Sequence, residues 1–349
     1  MILYFFFTKM QTTLLSFLGQ KEIYPTIIYL HNNYDVQYIT NIPSESVYIG
    51  KIKWNYSKND LHIYIHQKLT KTESYIFNSN YTTKNISLLK SQLQKSIRRM
   101  NTDLSINIAY QMINLDFNEF LRRLLIITLE DVILNQYFPI LTWMMVAYST
   151  KKWHPTNYDI NWILNYINYL CNILYREKYS KINDISQPYD HNNPLYNSLI
   201  FSIELRKSYG GMKGDIKFLN WFVKEWNTKF RSTSTSEYTN SFILLKKKME
   251  ILDILDKNMI LIKPIHMLLE GCDFHNYPTI IPLIHSKYNE FTQEEIKKTI
   301  WEYSSKTNHR DYINSNIKDI PNIDYNNIWN KIKKLKNELS KKYLIQCTL

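Results

Sequence analysis

The feature that most constrains this chain is a change of hydrophobic period near residue 85. Before it, apolar residues tend to recur every second position. In 61–68, Leu61, Ile63 and Ile65 alternate with His62, Tyr64, His66 and Lys68, the pattern of a strand with one buried face. Segments 23–30, 34–40, 47–54, 61–68 and 75–77 are β-branched and aromatic, and Asn, Asp, Ser and Pro separate them, so each predicts a strand. In 47–54, Tyr48, Ile52 and Trp54 are expected on one face, with Lys51 and Lys53 on the other. The expectation is a small antiparallel sheet with one wet, basic face.

After residue 85 the period becomes helical. Ser87 is a candidate cap for a helix carrying Leu88, Leu89, Leu93 and Ile97, and Asp103 for the next. Phe117, Leu121, Leu124 and Leu125 mark a third. Further helices are predicted at 138–149, 159–177, 195–208, 215–230, 241–259 and 279–286. Thr292 and Glu295 form a capping box for another, and a Lys-rich helix starts near 325. The fold class predicted is α+β, predominantly α-helical. It comprises a leader at 1–21, a small β-rich domain at 22–84 and a helical domain at 85–349, with a linker-like stretch at 228–239.

Composition bounds the function. An apolar content of 44% suits a globular chain, and Lys+Arg 43 against Asp+Glu 31 gives +12, which favours a polyanionic partner. Abundant Ile, Asn, Lys, Tyr and Phe all have AT-rich codons, so genome composition accounts for part of the lysine excess. The charge is concentrated early: residues 1–100 hold 12 Lys+Arg and 5 Asp+Glu. Three widely spaced cysteines (Cys171, Cys272, Cys347) offer neither a disulfide framework nor a four-cysteine zinc site, so the expected setting is reducing and intracellular. The apolar start, 1–7, is too short to span a bilayer and lacks a basic lead, and no membrane is expected as a partner.

The sharpest short motif is QTTLLSFL at 11–18. It resembles the PIP box, the peptide by which replication and repair proteins dock on a sliding clamp. Gln11, Leu14 and Phe17 match, while Leu18 replaces the second aromatic. One tight helical turn would put Leu14, Phe17 and Leu18 on one side as an apolar plug, with Gln11 reaching a polar notch. The resemblance implies a PCNA-like clamp as partner. Met10 directly precedes the motif and is an alternative start. The competing account is an ordinary amphipathic turn packed on its own domain.

Residues 89–139 contain KSIR at 95–98, an Asp-led helix with a small residue and an aromatic at 103–110, and RRL followed by EDVIL at 122–134. This block resembles the helical region after the ATPase domain in the RarA/MgsA family of replication-fork ATPases. The chain has no GxxxxGK[ST] loop, so ATP hydrolysis is not implied. The resemblance implies a scaffold or homo-oligomer contact through the helical domain. From residue 85 onward the chain also resembles an uncharacterised protein family of large DNA viruses, through ELRKSYGGMKGD at 204–215 and EGCDFHNYP at 270–278. That implies a nucleus or a cytoplasmic viral factory as location.

Several groups are candidate nucleic-acid contacts. Lys51, Lys53, Tyr64, His66 and Lys68 on the sheet face could stack on and neutralise a single strand, or simply be a solvated face. Arg98, Arg99, Arg122 and Arg123 could hold phosphates, but Glu130 and Asp131 favour a structural ion-pair network. Arg206, Lys207, Gly210, Gly211 and Lys213 read either as a phosphate cradle or as a helix end followed by a turn with Asp215 as the next cap. His266, Cys272, Asp273, His275 and His285 match no zinc spacing, and the C-terminal lysines read as a solvated helical face. No catalytic centre, metal or cofactor is expected. The function expected is a non-catalytic DNA-replication or repair accessory protein. Its rivals are a structural or interaction factor of a large DNA virus, and an enzyme with a site near 210–215 and 273–275.

Overall fold

The structure, a computed structural model, describes residues 24–54, 59–78, 86–178, 193–232, 238–255, 259, 266–268, 271, 280–313, 323–335 and 338. It is α+β and mostly helical, with a four-stranded sheet near the amino end. The strands are β1 (Ile27–Leu30), β2 (Val36–Ile39), β3 (Ser46–Trp54) and β4 (Asn59–His66), in the order β2-β1-β4-β3. The expectation of a wholly antiparallel sheet is corrected. β1 and β4 run parallel, with Ile28 beside Ile63, while β1–β2 and β3–β4 are antiparallel. Parallel neighbours need a crossover, and β2 and β3 with their turns supply it. The segment at 75–77 is not a strand; an isolated bridge between Ser74 and Thr156 precedes it, the Tyr75 amide donates to the Pro155 carbonyl at 2.7 Å, and Phe77 packs on Phe117 and Tyr148.

The helices are α1 (Ile86–Arg98), α2 (Thr102–Leu115), α3 (Phe117–Asp131), α4 (Phe138–Ser149), α5 (Asn157–Cys171), α6 (Pro194–Ser208), α7 (Lys213–Arg231) and α8 (Thr239–Leu245). Then come α9 (Ile280–Lys287), α10 (Gln293–Ile300), a π-helical turn at Trp301–Ser305, α11 (Arg310–Ile313) and α12 (Ile323–Lys334). The caps follow side-chain chemistry. Asn101, Asp116 and Thr156 each accept a hydrogen bond from a first-turn amide, and the Thr292–Glu295 capping box is formed. Three expected caps move: Ser87 lies inside α1, and Asp103 and Asp215 lie inside the first turns of α2 and α7.

Helix α4 is apolar all round and almost entirely buried, which suits a helix sandwiched between layers. It packs under the sheet, where the Trp143 indole donates to the Tyr64 carbonyl at 3.0 Å, and against α3 and α6. Ile28, Leu61, Ile63, Ile65, Trp54 and Trp143 belong to one hydrophobic cluster with α1–α7. The boundary expected near residue 85 therefore marks a change of element type within a shared core. Ile280, Ile284, Ile296, Ile300, Tyr303, Trp329 and Ile332 form a second, smaller cluster.

Side-chain amides hold the irregular segments. The helix expected at 241–259 ends at Leu245, and the chain beyond it, to Leu255, lies against α5 without regular secondary structure. There Asn165 accepts from the Leu252 amide and donates to its carbonyl, both at 2.8 Å, and Asn161 accepts from Ile254 and Leu255 at 2.9 and 3.0 Å. Gln92 clamps Leu268 in the same way, at 2.8 and 2.9 Å. A Cβ on Gly271 would sit 2.3 Å from that Gln92 amide, so a side chain there would have to push the amide off Leu268.

Candidate nucleic-acid interface

The sheet sets the first part of the site. Leu61, Ile63 and Ile65 point into the core, as their alternation predicts, and leave His62 and Tyr64 on the opposite face. Tyr48 was expected to share a face with Ile52 and Trp54, but it is 44% exposed and lies opposite Tyr64. The cause is a β-bulge between Tyr48 and Gly50, which inserts one residue and reverses the alternation. Tyr48 therefore joins His62 and Tyr64, with ring centroids 5.9 and 5.3 Å away. Lys51 and Lys53 lie on the same face, in register with His62 and Asp60, and Lys51 pairs with Asp60 at 2.6 Å. The wet area is limited to β3 and β4, because over β1 Ile27 and Tyr29 are buried.

Two sheet candidates fall outside this ring platform. His66 is not exposed. Its Nδ1 accepts from the Lys68 amide at 3.2 Å and its Nε2 lies 3.2 Å from the Glu45 carboxylate. Lys68 is exposed in a short 3-10 turn beyond the strand.

The loop after α4 forms the second part. Gly50 packs so closely on it that a Cβ there would lie 2.9 Å from Thr150 Cγ2. Lys152 Nζ stands 5.9 Å from the centroid of the Tyr48 ring. One residue before Thr150, Ser149 Oγ shares a 2.7 Å hydrogen bond with the Tyr209 hydroxyl. Residues 149–152 thus touch the sheet platform at one end and the α6–α7 turn at the other.

That turn is the third part. Gly210 and Gly211 have φ of 72° and 146°, conformations that side chains rarely adopt, and they let the chain reverse between the helices. Arg206, nearly fully buried at the end of α6, donates through Nη1 to the Gly210 carbonyl at 2.7 Å and through Nε to the Arg122 carbonyl at 3.1 Å. Arg122 pairs with Glu119 at 2.9 Å and donates to the Tyr209 carbonyl at 3.2 Å. Two groups remote in the sequence, around 122 and 206–213, are therefore adjacent. The amino end of α7 has no side-chain cap, and Lys213 is exposed there. Burial first, and then the neighbouring Arg122, hold the Arg206 guanidinium down to about 10 despite Asp215 and Glu119. The Nε groups of Arg122 and Arg123 are buried and have no hydrogen-bond partner among the described residues. Lys207 is paired with Glu204.

Arg98, Arg99, Arg123 and Arg310 are instead taken up by partners within the fold. Arg98 is buried, 2.5 Å from Asp131 and 3.2 Å from Glu130. Arg123 donates to Gln94, which itself donates to Glu130 and Asp131. Arg99 donates to the carbonyls of Thr307 and Tyr303, at 2.6 and 2.5 Å. Arg310 donates to the carbonyls of Ile97, Leu170 and Ile173, and so tops the carboxyl ends of α1 and α5. These bonds fasten the segment 307–310 to the main body. The structural ion-pair account of Arg98 with Glu130 and Asp131 is the one observed. Within this network Lys95 is buried, and burial next to Arg98 lowers its amine to about 7.

Gln11, Leu14, Phe17 and Leu18 lie outside the described residues, as do Cys272, Asp273 and His275. Among the described residues no cluster of His, Cys, Asp and Glu could hold a metal ion, and no helix is long and apolar enough to cross a membrane. Sequence reasoning missed Tyr48, Lys152 and Tyr209. The lone Gly50 inside a strand pattern was the available signal for the bulge that turns Tyr48 outward. Comparison of the chain with known protein-family models, curated proteins and solved structures finds no match.

Proposed function

We propose that this protein is a non-catalytic DNA-replication or repair accessory factor that grips nucleic acid across the β3–β4 face, the 149–152 loop and the α6–α7 turn. The observation that carries the reading is the junction at 149–152. Ser149 bonds Tyr209 while Lys152 stands over Tyr48, so the basic sheet face and the arginine turn adjoin. Lysines on such a path act mainly by neutralising phosphates and releasing counterions. Lys53, Lys152 and Lys213 are exposed and have no carboxylate partner among the described residues. In this reading Gln11, Leu14, Phe17 and Leu18 dock the factor on a sliding clamp, and the helical domain is a candidate oligomer contact, as the PIP-box and RarA/MgsA resemblances imply.

The test is fluorescence anisotropy with labelled DNA over a range of salt. The wild type should bind with a salt slope of several phosphate contacts. Lys53→Glu, Lys152→Glu and Lys213→Glu should each weaken binding and lower the slope by about 1 or more. Unchanged affinity in all three, with the fold intact by circular dichroism, would contradict the reading. Clamp docking is tested apart, by binding of a peptide spanning 11–18 to the cognate clamp; Leu14→Ala/Phe17→Ala should abolish it.

A second reading, a protein-interaction factor of a large DNA virus, draws on Ile243, Ile251 and Leu252, which are exposed on one stretch of chain. It predicts self-association or partner binding without any salt-dependent affinity for DNA.

A further inference from the structure

We infer that the nucleic acid this surface takes is a single strand, with bases laid on the rings of Tyr48, His62 and Tyr64 and the backbone led past Lys152 to the Arg122–Arg206 turn. The inference rests on the DNA-binding reading and narrows its substrate.

The argument begins with what an exposed ring can gain. In a duplex the faces of the bases are covered by their neighbours, and a protein ring on the outside finds only sugar and phosphate. A single strand offers free faces, and stacking each on an aromatic ring is worth about 1–3 kcal/mol whatever the base. Tyr48 is 44% exposed, and His62 and Tyr64 lie beside it half-buried, 5.9 and 5.3 Å away between ring centroids. Residues two apart along one strand recur at about 6.8 Å, which separates the His62 and Tyr64 rings enough to receive different bases.

Charge is arranged for the same occupant. Lys51 and Lys53 share the face with the rings, so phosphates can lie along β3 while bases turn toward β4. Asp60 opposes them, but its carboxylate is taken up by Lys51 at 2.6 Å. Lys152, over the Tyr48 ring, carries the backbone off the sheet. Beyond it, the amino end of α7 has no side-chain cap, so its first-turn amides offer donors to one phosphate, while buried Arg206 holds the turn through the Gly210 carbonyl and the Gly210 amide is taken by the Lys207 carbonyl. Asp215 and Glu119 oppose an anion there. Against them stand Arg122 and Arg206, with Lys213 exposed beside the turn.

The experiment compares three labelled probes of equal length with the full chain: a thymidine oligonucleotide, the same strand with its bases removed, and a hairpin duplex. The thymidine strand should bind at least tenfold more tightly than either other probe. Tyr48→Ala should cost about 5- to 100-fold on the thymidine strand and little on the base-free one, while Tyr48→Phe, which keeps the ring, should match the wild type. Lys152→Glu should weaken both strands alike. Equal affinity for strand and duplex, or a thymidine strand indifferent to Tyr48→Ala, would overturn the single-strand inference and leave DNA binding standing. Absence of binding to all three probes would remove both.

Discussion

At the scale of the residue, the buried charges around α1 and α3 show where stability is gained and where it is lost. Asp131 is fully buried, and the Arg98 guanidinium and the Gln94 amide hold its carboxyl below the usual range in spite of burial. Asp131→Ala would leave Arg98 facing Glu130 alone and should cost about 3–5 kcal/mol in urea denaturation. Lys95 has the opposite sign. Its folded value of about 7 lies below the unfolded value of about 10.4, so between the two the unfolded chain holds a proton that the folded chain does not. Stability should therefore rise from pH 7 toward pH 9, and the full cost of the buried ammonium should persist below pH 7. The charged groups that act on it are Arg98, Arg99, Asp131 and Glu130. Lys95→Met should flatten this slope and add ~1–4 kcal/mol at pH 6–7, measured by denaturation across the series. A variant with the wild-type slope would show that the lysine is not the titrating group.

At the scale of the element, what was legible in the sequence was local. The two-residue alternation of Leu61, Ile63 and Ile65 and the capping box at Thr292 depend on neighbours in the chain, and both appear as expected. Features that failed to show depend on remote partners. The parallel pairing of β1 with β4 joins strands more than thirty residues apart, and no period records it. Residues 246–255 carry a helix-like pattern yet take no regular secondary structure, because Asn161 and Asn165 of α5 supply hydrogen bonds that a helix would make internally. Asn165→Ala should strand the Leu252 amide and carbonyl, at about 1–3 kcal/mol. Hydrogen exchange should then accelerate through 247–255 while α5 itself changes little. Uniform acceleration across the fold would instead mean that the strap is not a separable unit. Gln11, Leu14, Phe17 and Leu18 remain legible as a motif only.

At the scale of the whole molecule, the sequence offered three basic groups, and the fold treats them differently. Arg98 and Arg99 are committed to the interior, where they tie α1 to α3 and to the segment at 303–307. The sheet lysines and the α6–α7 turn stay at the surface and meet through residues 149–152. Nothing in the linear order announces that meeting, since 104 residues separate Tyr48 from Lys152 and 57 more separate Lys152 from Tyr209, with unrelated local patterns. The claim that they form one surface is tested most directly by hydrogen-exchange mass spectrometry of the full chain, with and without a saturating thymidine oligonucleotide. The account predicts protection at 46–54, 59–66, 149–152 and 209–213 together, with the 247–255 strap unaffected. Protection confined to one of these segments, or found elsewhere on the fold, would contradict it.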